Sequence, residues 1–391
     1  MKYDFDTVVD RAGTFAAKYE DLELRFGKSD LLPLWIADMD LPTAAPVVDA
    51  IRQRAEQGIF GYTSRPDSYF RAAIDWYEQR YGYRIEREWL VHSPCVVTTL
   101  AMAVMELTEP GDKIVIQPPV YYPFFNVVQQ NNRVLVENPL REEAGRYVMD
   151  YADLEIKLAD NDAKFLILCN PHNPGGRVWT REELARLGEI CLKYQVRIIS
   201  DEIHCDLTFA PHRYVPLATV SPELNAQSII CLSATKSFNL AGLQASVAVV
   251  PDIALRKKLA DLLGRLSIER NNCFSMVAIE AAYRDGEAWL EQMLAYVRGN
   301  IDYVMEFCRD RIPQICPQRP EGTYLIWLDC RGLGLSDEEL AKLMIDKAGV
   351  ALNKGAAFGS QGSGFMRMNV ACARSVVKAA LERIEKAVKT L

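Results

Sequence analysis

The stretch "VRIISDEIHCDL", residues 196–207, gives the first constraint on the fold. Its first half is a β-branched apolar run typical of a buried strand, and Asp201, Glu202 and His204 follow that run directly. Ionised carboxylates are costly to bury unless a positive charge pairs with them. The stretch is therefore either a solvated strand exit or one side of a site whose cation comes from elsewhere.

Short apolar runs of the same kind occur on both sides of this stretch and alternate with amphipathic segments of helical length. This alternation is typical of a parallel sheet covered by helices. Before residue 196, for example, Thr180 can cap a helix whose Leu184, Leu187 and Ile190 or Cys191 form one face. The predicted strands are 113–119, 133–138, 164–170, 196–200, 228–233 and 246–251.

The pattern changes after about residue 285, which predicts a second, smaller α+β domain. A long helical stretch is followed by a strand at 322–329, a glycine-rich loop, a further strand and a final helix. The N-terminal segment, with prolines and short apolar pieces, is expected to pack on this second domain. We predict a large domain of residues 46–287 and a small domain made of residues 1–45 and 288–391.

The composition predicts a soluble globular protein that binds neither nucleic acid nor membranes. Of 391 residues, 49% are hydrophobic and 25% are charged, and a net charge of −7 without a basic run argues against a nucleic-acid surface. The longest apolar stretch is shorter than the roughly 20 residues that a membrane helix needs. No secretory signal is visible at the start, so we expect a cytoplasmic location.

The ten cysteines are scattered singly and form no C-x-x-C pair. Several of them, such as Cys169 and Cys231, lie in apolar strands. Cysteines in such positions are ordinarily reduced thiols that pack as small hydrophobic side chains. We therefore expect no zinc or other metal site.

Polar side chains follow three consecutive predicted strands: Asn173, Asp201 and Lys236. In open α/β sheets, ligands bind beyond the carboxyl ends of the strands, so these side chains are expected to share one cleft. A lone lysine at a strand exit is ordinarily a surface residue. Here Ser233 and Ser237 bracket the lysine and its other neighbours are apolar, which favours a buried, functional amine.

This set of residues suits pyridoxal 5'-phosphate (PLP) chemistry. The amine of Lys236 can bond covalently to the aldehyde of the cofactor, and Asp201 can hold the ring nitrogen protonated. The protonated ring nitrogen would then be the missing cation next to Asp201. Asn173 and His204 are both candidates to bond the phenolic oxygen of the ring.

The motifs also support a family assignment, because the chain resembles the fold-type I PLP enzymes of the aminotransferase class I/II superfamily. Within that superfamily it is most similar to the MalY/PatB branch of carbon–sulfur lyases, whose usual activity is cystathionine β-lyase. The resemblance runs nearly end to end and is carried by "PLWIADMD" (33–40), "GYTSRPDSY" (61–69), "QPPVYYPF" (117–124), "NPHNPGGRVW" (170–179), "SDEIHCDL" (200–207), "SATKSFNLAGL" (233–243), "EGTYLIWLD" (321–329) and "FMRMNVACARS" (365–375).

The resemblance implies an aspartate aminotransferase-like α/β fold, in which a mainly parallel seven-stranded sheet lies between helices. It implies that Tyr121 stacks on the cofactor ring and that the backbone amides at Cys95, Val96 and Val97 hold the phosphate. A hydroxyl from Ser233 is expected to assist them.

The same resemblance implies a homodimer in which Tyr62 of one subunit reaches the phosphate in the site of the other. For the substrate, Arg367 is expected to bind the carboxylate in a two-pronged fashion. Ala37, Tyr121 and Asn173 are expected to contact the rest of the amino acid.

Two residues depart from the ordinary aminotransferase pattern. His204 stands where many aminotransferases carry a tyrosine, and Gln244 stands where a phosphate-binding arginine is common. Both substitutions resemble the lyase branch. Because Gln244 brings no charge, they leave open how the second phosphate charge is balanced.

The expected reaction is an α,β-elimination on a sulfur-containing amino acid, such as cystathionine, cysteine or a cysteine conjugate. Two alternatives remain from the sequence. The same residues could serve an aminotransferase, or the fold could act as a regulatory protein that binds a protein partner. An intact set of Lys236, Asp201, Asn173 and Arg367 argues against a purely binding role.

Overall fold

The structure, a computed structural model, describes residues 2–391 except for the side chain of residue 161. Residue 1, which the predicted small domain includes, lies outside the described residues. The strands are β1 (Leu32–Pro33), β2 (Leu90–Ser93), β3 (Lys113–Ile116), β4 (Val134–Glu137), β5 (Arg141–Glu143), β6 (Arg146–Val148), β7 (Ala163–Cys169), β8 (Arg197–Asp201), β9 (Ile229–Leu232), β10 (Ser246–Val249), β11 (Cys316–Gln318), β12 (Leu325–Asp329), β13 (Val350–Ala351), β14 (Asn353–Lys354) and β15 (Phe365–Asn369).

Helices cover both faces of the large sheet and form much of the C-terminal part of the chain. Short 3₁₀ helices connect several of the elements, and a π-helical turn occupies Leu343–Lys347. The α-helices are α1 (Ala17–Glu20), α2 (Leu22–Phe26), α3 (Ala45–Glu56), α4 (Asp67–Tyr81), α5 (Val96–Leu107), α6 (Pro123–Gln129), α7 (Tyr151–Asn161), α8 (Arg181–Lys193), α9 (Pro222–Gln227), α10 (Ile253–Arg265), α11 (Cys273–Asp285), α12 (Glu287–Arg311), α13 (Asp337–Lys342) and α14 (Arg374–Val388).

The large sheet has seven strands in the order β2-β10-β9-β8-β7-β3-β4. Strand β10 runs antiparallel to both of its neighbours, and the other adjacent pairs are parallel. The predicted α/β class and mainly parallel seven-stranded sheet are confirmed. The strand list from the sequence omitted β2, because four residues that follow a 3₁₀ turn and include His92 do not form a readable apolar run.

The register of the central strands brings the predicted polar side chains to one edge of the sheet. Cys169 pairs with Asp201, and Asp201 pairs with Cys231 on the next strand. Strands β7, β8 and β9 therefore end at the same level, and the residues that follow them meet beyond that edge.

Helix α8 illustrates how local sequence fixes the elements around the sheet. The hydroxyl of Thr180 accepts a hydrogen bond from the amide of Glu183, and the Glu183 carboxylate accepts one from the amide of Thr180. This reciprocal capping box satisfies two amides at the helix start. Leu184, Leu187 and Cys191 of the same helix are buried against the core, as predicted.

A second sheet, in the order β11-β12-β15-β14, lies in the C-terminal part of the chain. The N-terminal segment joins this part directly, because β1 pairs in parallel with β13 through Leu32 and Val350. The boundaries of the two domains, 46–287 against 1–45 and 288–391, stay a prediction. Among the described residues, no helix combines the length and the apolar character that crossing a membrane requires.

Candidate active site

A cavity of about 190 Å³ opens at the carboxyl ends of the central strands. It brings together residues that lie far apart in the sequence, and most of the predicted site residues are among them. The predicted residues that line it are Ala37, Cys95, Val96, Val97, Tyr121, Asn173, Asp201, His204 and Lys236, together with the substituted position Gln244.

A larger groove of about 750 Å³ lies elsewhere, between the β5–β6 hairpin and α12. One of its acidic side chains, Glu321, is already paired with Arg146 and Arg177, at 2.8 and 3.0 Å. The groove contains none of the predicted site residues. We therefore place the candidate active site in the smaller cavity, which Asn173, Asp201 and Lys236 line together.

Lys236 follows β9 and lines the cavity, where it is partly buried. Its amine donates a hydrogen bond to the backbone carbonyl of Ala37, which also accepts one from the hydroxyl of Tyr324 at 2.9 Å. Burial lowers the pKa of Lys236 to about 8, against the opposing effects of the charges on Asp38 and Asp201. An amine with this pKa is partly uncharged at neutral pH, so it can act both as a nucleophile and as a proton acceptor.

Asp201 ends β8 and is 4% exposed. One of its oxygens accepts a hydrogen bond from the amide of Ile203 at 3.2 Å. Burial raises the pKa of Asp201 to about 6, and the hydrogen bond and the charge of Lys236 offset only part of this effect. A carboxylate buried in this way lacks a strong cationic partner, which is what a protonated ring nitrogen would supply.

Arg367, on β15, lies directly behind Asn173 and does not itself line the cavity. It donates to the Asn173 side-chain oxygen at 3.0 Å, to Asn353 at 2.6 Å and to the carbonyl of Trp35 at 2.8 Å. Its Nε has no hydrogen-bond partner although it is buried, and no carboxylate among the described residues pairs with it. Burial lowers the pKa of Arg367 to about 10. This guanidinium is therefore suited to an incoming anion.

His204 lies in the same cavity with its ring in edge-to-face contact with Tyr324, at 6.2 Å between ring centres. Burial lowers the pKa of His204 to about 3, so the ring is neutral at physiological pH. Its Nδ1 is buried without a hydrogen-bond partner. A neutral imidazole with a free nitrogen can bond to a ligand without adding charge.

The opposite end of the cavity is formed by the start of α5. Cys95 is the N-cap of this 12-residue helix, and Val96 and Val97 occupy its first turn. Amides in the first turn of a helix have no intrahelical acceptor and attract anions. The three residues thus provide the features expected of a phosphate-binding helix start.

Comparison with known proteins decides the family. The sequence profile of the family described as Aminotransferase class I and II matches residues 29–384. The chain is 42% identical over 384 residues to "Cystathionine beta-lyase PatB" of Bacillus subtilis (strain 168), with coverage of 98% of this chain and 99% of that protein. This chain belongs to the class I and II aminotransferase family.

Two solved structures show how closely the fold of this family member follows that of its relatives. A PLP-bound structure from Clostridium difficile 630 is 48% identical, with a TM-score of 0.98 and coverage of 99% of this chain and 100% of that chain. The PLP-bound C-S lyase from Staphylococcus hominis is 34% identical, with a TM-score of 0.93 and coverage of 99% and 98%. The predicted family is confirmed.

Two predicted phosphate contacts of this family member lie outside the cavity. Ser233 is buried behind Thr235, where its hydroxyl donates to the carbonyl of Ala245 at 2.6 Å. Thr235 lines the cavity in its place, and the sequence reasoning missed it although it directly precedes Lys236. Tyr62 is 95% exposed and stacks with Arg270, at 5.4 Å from the guanidinium carbon to the ring centre. The roles of Ser233 and Tyr62 stay predictions.

Cys169 and Ile203 also line the cavity and were not predicted to do so. Burial raises the pKa of the Cys169 thiol, so this side chain is an uncharged wall of the cavity. Cys169 ends β7 and Ile203 lies in the turn after β8, and neither apolar side chain carries a functional signal in a single sequence. Gln244 lines the cavity as well, and its neutral amide leaves Lys236 as the one cationic side chain lining the described part of this cavity.

Proposed function

We propose that this chain is a PLP-dependent carbon–sulfur β-lyase that cleaves sulfur-containing amino acids, with L-cystathionine as the candidate substrate. One observation carries the proposal: a carboxylate and an amine line one cavity, a buried guanidinium lies behind Asn173, and each of the three lacks a full set of partners. Asp201 lacks a cation, Lys236 lies beside it at a pKa of about 8, and Arg367 keeps an unpartnered Nε.

PLP and an amino-acid substrate, bound together, would supply the missing partners of all three groups. PLP, when bound, supplies a ring that accepts an electron pair from the α-carbon of the substrate. Asp201 keeps the ring nitrogen protonated, and Arg367 holds the substrate carboxylate. Two of the relatives carry names that agree with this assignment, since PatB is named as a cystathionine β-lyase and the Staphylococcus hominis structure as a PLP-bound C-S lyase. The Clostridium difficile 630 structure is named as an aminotransferase, which is the alternative activity. The predicted cofactor and enzyme class are thereby supported.

The proton chemistry falls to Lys236. Its uncharged amine accepts the proton from the α-carbon, which its pKa of about 8 makes feasible near neutral pH. The carbon–sulfur bond at the β-carbon then breaks, and the sulfur leaves with the bonding electrons. A thiol has a pKa of about 8.5, so a thiolate is a competent leaving group. Hydrolysis of the remaining fragment by one water yields pyruvate and ammonia.

The decisive experiment supplies L-cystathionine without any keto acid and follows pyruvate and free thiol together. A lyase forms the two products in equal amounts through many turnovers. An aminotransferase stops after one turnover unless a keto acid is added, and this outcome would replace the lyase assignment with the alternative activity.

Lys236→Ala tests the assignment of the base. We expect turnover to be lost in this variant, because both the covalent attachment and the proton acceptor disappear. Lys257→Ala, at an exposed position of α10, is the matched control and is expected to retain activity. Substantial activity in Lys236→Ala would contradict the mechanism.

We also propose that two copies form a homodimer. Three aromatic or aliphatic side chains, Ile59, Phe60 and Tyr62, are 75%, 58% and 95% exposed within four residues of one another. Exposed apolar surface of this kind favours contact with another protein surface. The cytoplasmic location and a regulatory protein partner stay predictions.

A further inference from the structure

The backbone of residues 35–38, here called the carbonyl run, lies between the two ends of the proposed substrate site. The carbonyl of Ala37 accepts hydrogen bonds from the Lys236 amine and from the Tyr324 hydroxyl, the latter at 2.9 Å. Two residues earlier, the carbonyl of Trp35 accepts one from Arg367 at 2.8 Å. A short stretch of main chain thus contacts both the proposed base and the proposed carboxylate-binding residue.

The carbonyl run is further held from the side of β15. The side-chain nitrogen Nδ2 of Asn369 donates to the carbonyls of Ile36 and Asp38, both at 2.6 Å. Asn369 and Arg367 are two residues apart on this strand, so both side chains point to the same face. Each of the four carbonyls of the run therefore accepts a hydrogen bond from a side chain of the site or from Asn369.

An ion cluster fixes the end of the carbonyl run to the N-terminal segment. The Lys18 amine lies 2.6 Å from one oxygen of Asp40 and 3.3 Å from one oxygen of Asp38. The Arg11 guanidinium bonds the other oxygens of the same two residues, at 2.6 and 3.0 Å. Two cations and two carboxylates are thus interlocked, and we call these four residues the N-terminal ion cluster.

The burial of this cluster is unusual for ion pairs. The side chain of Lys18 is fully buried, and those of Asp40, Asp38 and Arg11 are 9%, 18% and 21% exposed. Buried ion pairs contribute little net stability, because desolvation offsets the attraction between the charges. What they do supply is a fixed geometry, since each charge is strongly unfavourable if it moves away from its partners.

We infer that Arg11, Lys18 and Asp40 are positioning residues for the proposed reaction. They lock the carbonyl run in one place, so that Lys236 and Arg367 are set at a fixed separation to meet the same substrate molecule. This inference rests on the proposed function, because it assigns the two ends of the site to the base and the carboxylate-binding residue.

The charges around Lys236 give the cluster a measurable effect beyond simple stability. Asp38 and Asp201 favour the charged form of Lys236, whereas Arg367 and Lys18 disfavour it. Three titratable groups near this position, Tyr121, Tyr324 and His204, are neutral near pH 7, because burial raises the pKa of both tyrosines and lowers that of the histidine. Removal of the charge on Asp38 and removal of the charge on Lys18 should therefore act on the Lys236 nitrogen in opposite directions.

The test compares holoenzyme variants with L-cystathionine as substrate. Lys18→Met and Asp40→Asn break the cluster, and Lys18→Arg keeps its charge. Lys28→Gln is the matched control, because Lys28 also lies in the N-terminal segment but forms an exposed pair with Asp346 at 2.7 Å. We expect the cluster-breaking variants to raise KM about tenfold or more, with a smaller fall in kcat, as for a misplaced binding group. The control should match the wild type, and Lys18→Arg should recover part of the loss.

Two further measurements do not depend on turnover. Glycine, which has no leaving group, is titrated against the holoenzyme, and the cluster-breaking variants should bind it at least about tenfold more weakly. The pH midpoint of the absorbance of the bound cofactor, which follows the charge on the Lys236 nitrogen, should rise in Lys18→Met and fall in Asp38→Asn. A shift in the same direction in both variants, or unchanged glycine binding, would overturn the inference.

Arg11→Gln keeps the test informative if another cluster variant fails to fold, because the Arg11 side chain is the most exposed of the cluster. Thermal unfolding of each holoenzyme identifies any general loss of structure. If the wild type cleaves L-cystathionine but Arg11→Gln leaves both KM and glycine affinity unchanged, the positioning role is wrong and the proposed function stands. If Lys236→Ala remains active, the proposed function itself fails.

Discussion

At the scale of single residues, Asp201 shows the conflict between stability and function most clearly. Its carboxyl is buried with one backbone hydrogen bond, and its pKa is raised to about 6 by that burial. In an unfolded chain the same group titrates near its ordinary value of 3.8. Between these two pH values the folded protein holds a proton that the unfolded chain has released.

This difference predicts the pH dependence of stability in the cofactor-free protein. A raised pKa means that the contribution of Asp201 is most favourable below about pH 4 and is lost as the pH rises through about 6. Asp201→Asn should therefore be more stable than the wild type at pH 8, by up to about 3 kcal/mol, and equal to it near pH 4. Urea unfolding at the two pH values measures this.

The same variant should be the worse enzyme. Asparagine cannot hold the ring nitrogen protonated, so Asp201→Asn should lose at least about a hundredfold in kcat with L-cystathionine. Asp261→Asn, at an exposed position of α10, is expected to change neither stability nor turnover. If Asp201→Asn were less stable than the wild type at pH 8, the buried ionised carboxylate would not destabilise the folded protein, and the predicted pH dependence would be wrong.

At the scale of secondary-structure elements, the loop after β7 depends on Gly176. This residue has φ of +65°, and an added Cβ would lie 2.6 Å from the Cβ of Pro320. Its carbonyl also accepts hydrogen bonds from the amides of Glu321 and Gly322, at 2.8 and 3.0 Å. The loop that carries Asn173 is thus pressed against the segment that leads into β12.

Gly176→Ala should therefore disturb both stability and the site. We expect a loss of about 2–4 kcal/mol, because a left-handed backbone and a steric overlap act together. Gly334→Ala is the matched control: its φ is +68°, but nothing lies within 4 Å of the added Cβ, so it should lose only about 1–2 kcal/mol. Thermal unfolding measures both variants, and equal losses would show that the contact with Pro320 is unimportant.

The elements also show why part of the fold was predictable and part was not. The long apolar runs that became β7, β8 and β9 could be identified because parallel strands are buried on both faces. Strand β2 was missed because its four residues are partly polar and pair with β10, more than 150 residues later in the chain. The β5–β6 hairpin was missed because its two three-residue strands are mostly charged, although they pair locally.

The residues of the candidate site also divide into those that the sequence predicts and those that it does not. Asn173, Asp201 and Lys236 were predictable because each follows a strand and carries a chemically distinctive group. Thr235 was missed, and the position of Ser233 could not be foreseen, because these two hydroxyls lie only two residues apart and the turn after β9 decides which of them faces the cavity. The N-terminal ion cluster was invisible in the sequence, since it joins Lys18 and Asp40 through the folded chain.

At the scale of the whole molecule, the predicted exchange of Tyr62 between subunits can be tested by mixing. Lys236→Ala and Tyr62→Ala are each expected to be strongly impaired as pure homodimers. In a mixed dimer one site carries both defects and the other site is intact. Because random mixing makes half of the dimers mixed, the equimolar mixture should regain roughly a quarter of wild-type activity.

The control for this experiment mixes Lys236→Ala with Asp201→Asn, whose defects we place in the same site of one subunit. Every site of that mixed dimer retains one defect, so no activity should return. Light scattering checks that each variant is a dimer. If the first mixture also stays inactive although subunits exchange, Tyr62 serves the site of its own subunit.

The distribution of thiols has a practical consequence. Eight of the ten cysteines are buried, whereas Cys95 lines the mouth of the cavity and Cys316 is exposed on β11. An alkylating reagent should therefore label Cys316 at all times and Cys95 only when no coenzyme shields it. Mass spectrometry of the two labelled peptides would then give the fraction of molecules in a preparation that contain the coenzyme. The Cys316 peptide, which is labelled in every molecule, serves as the internal standard in the same sample.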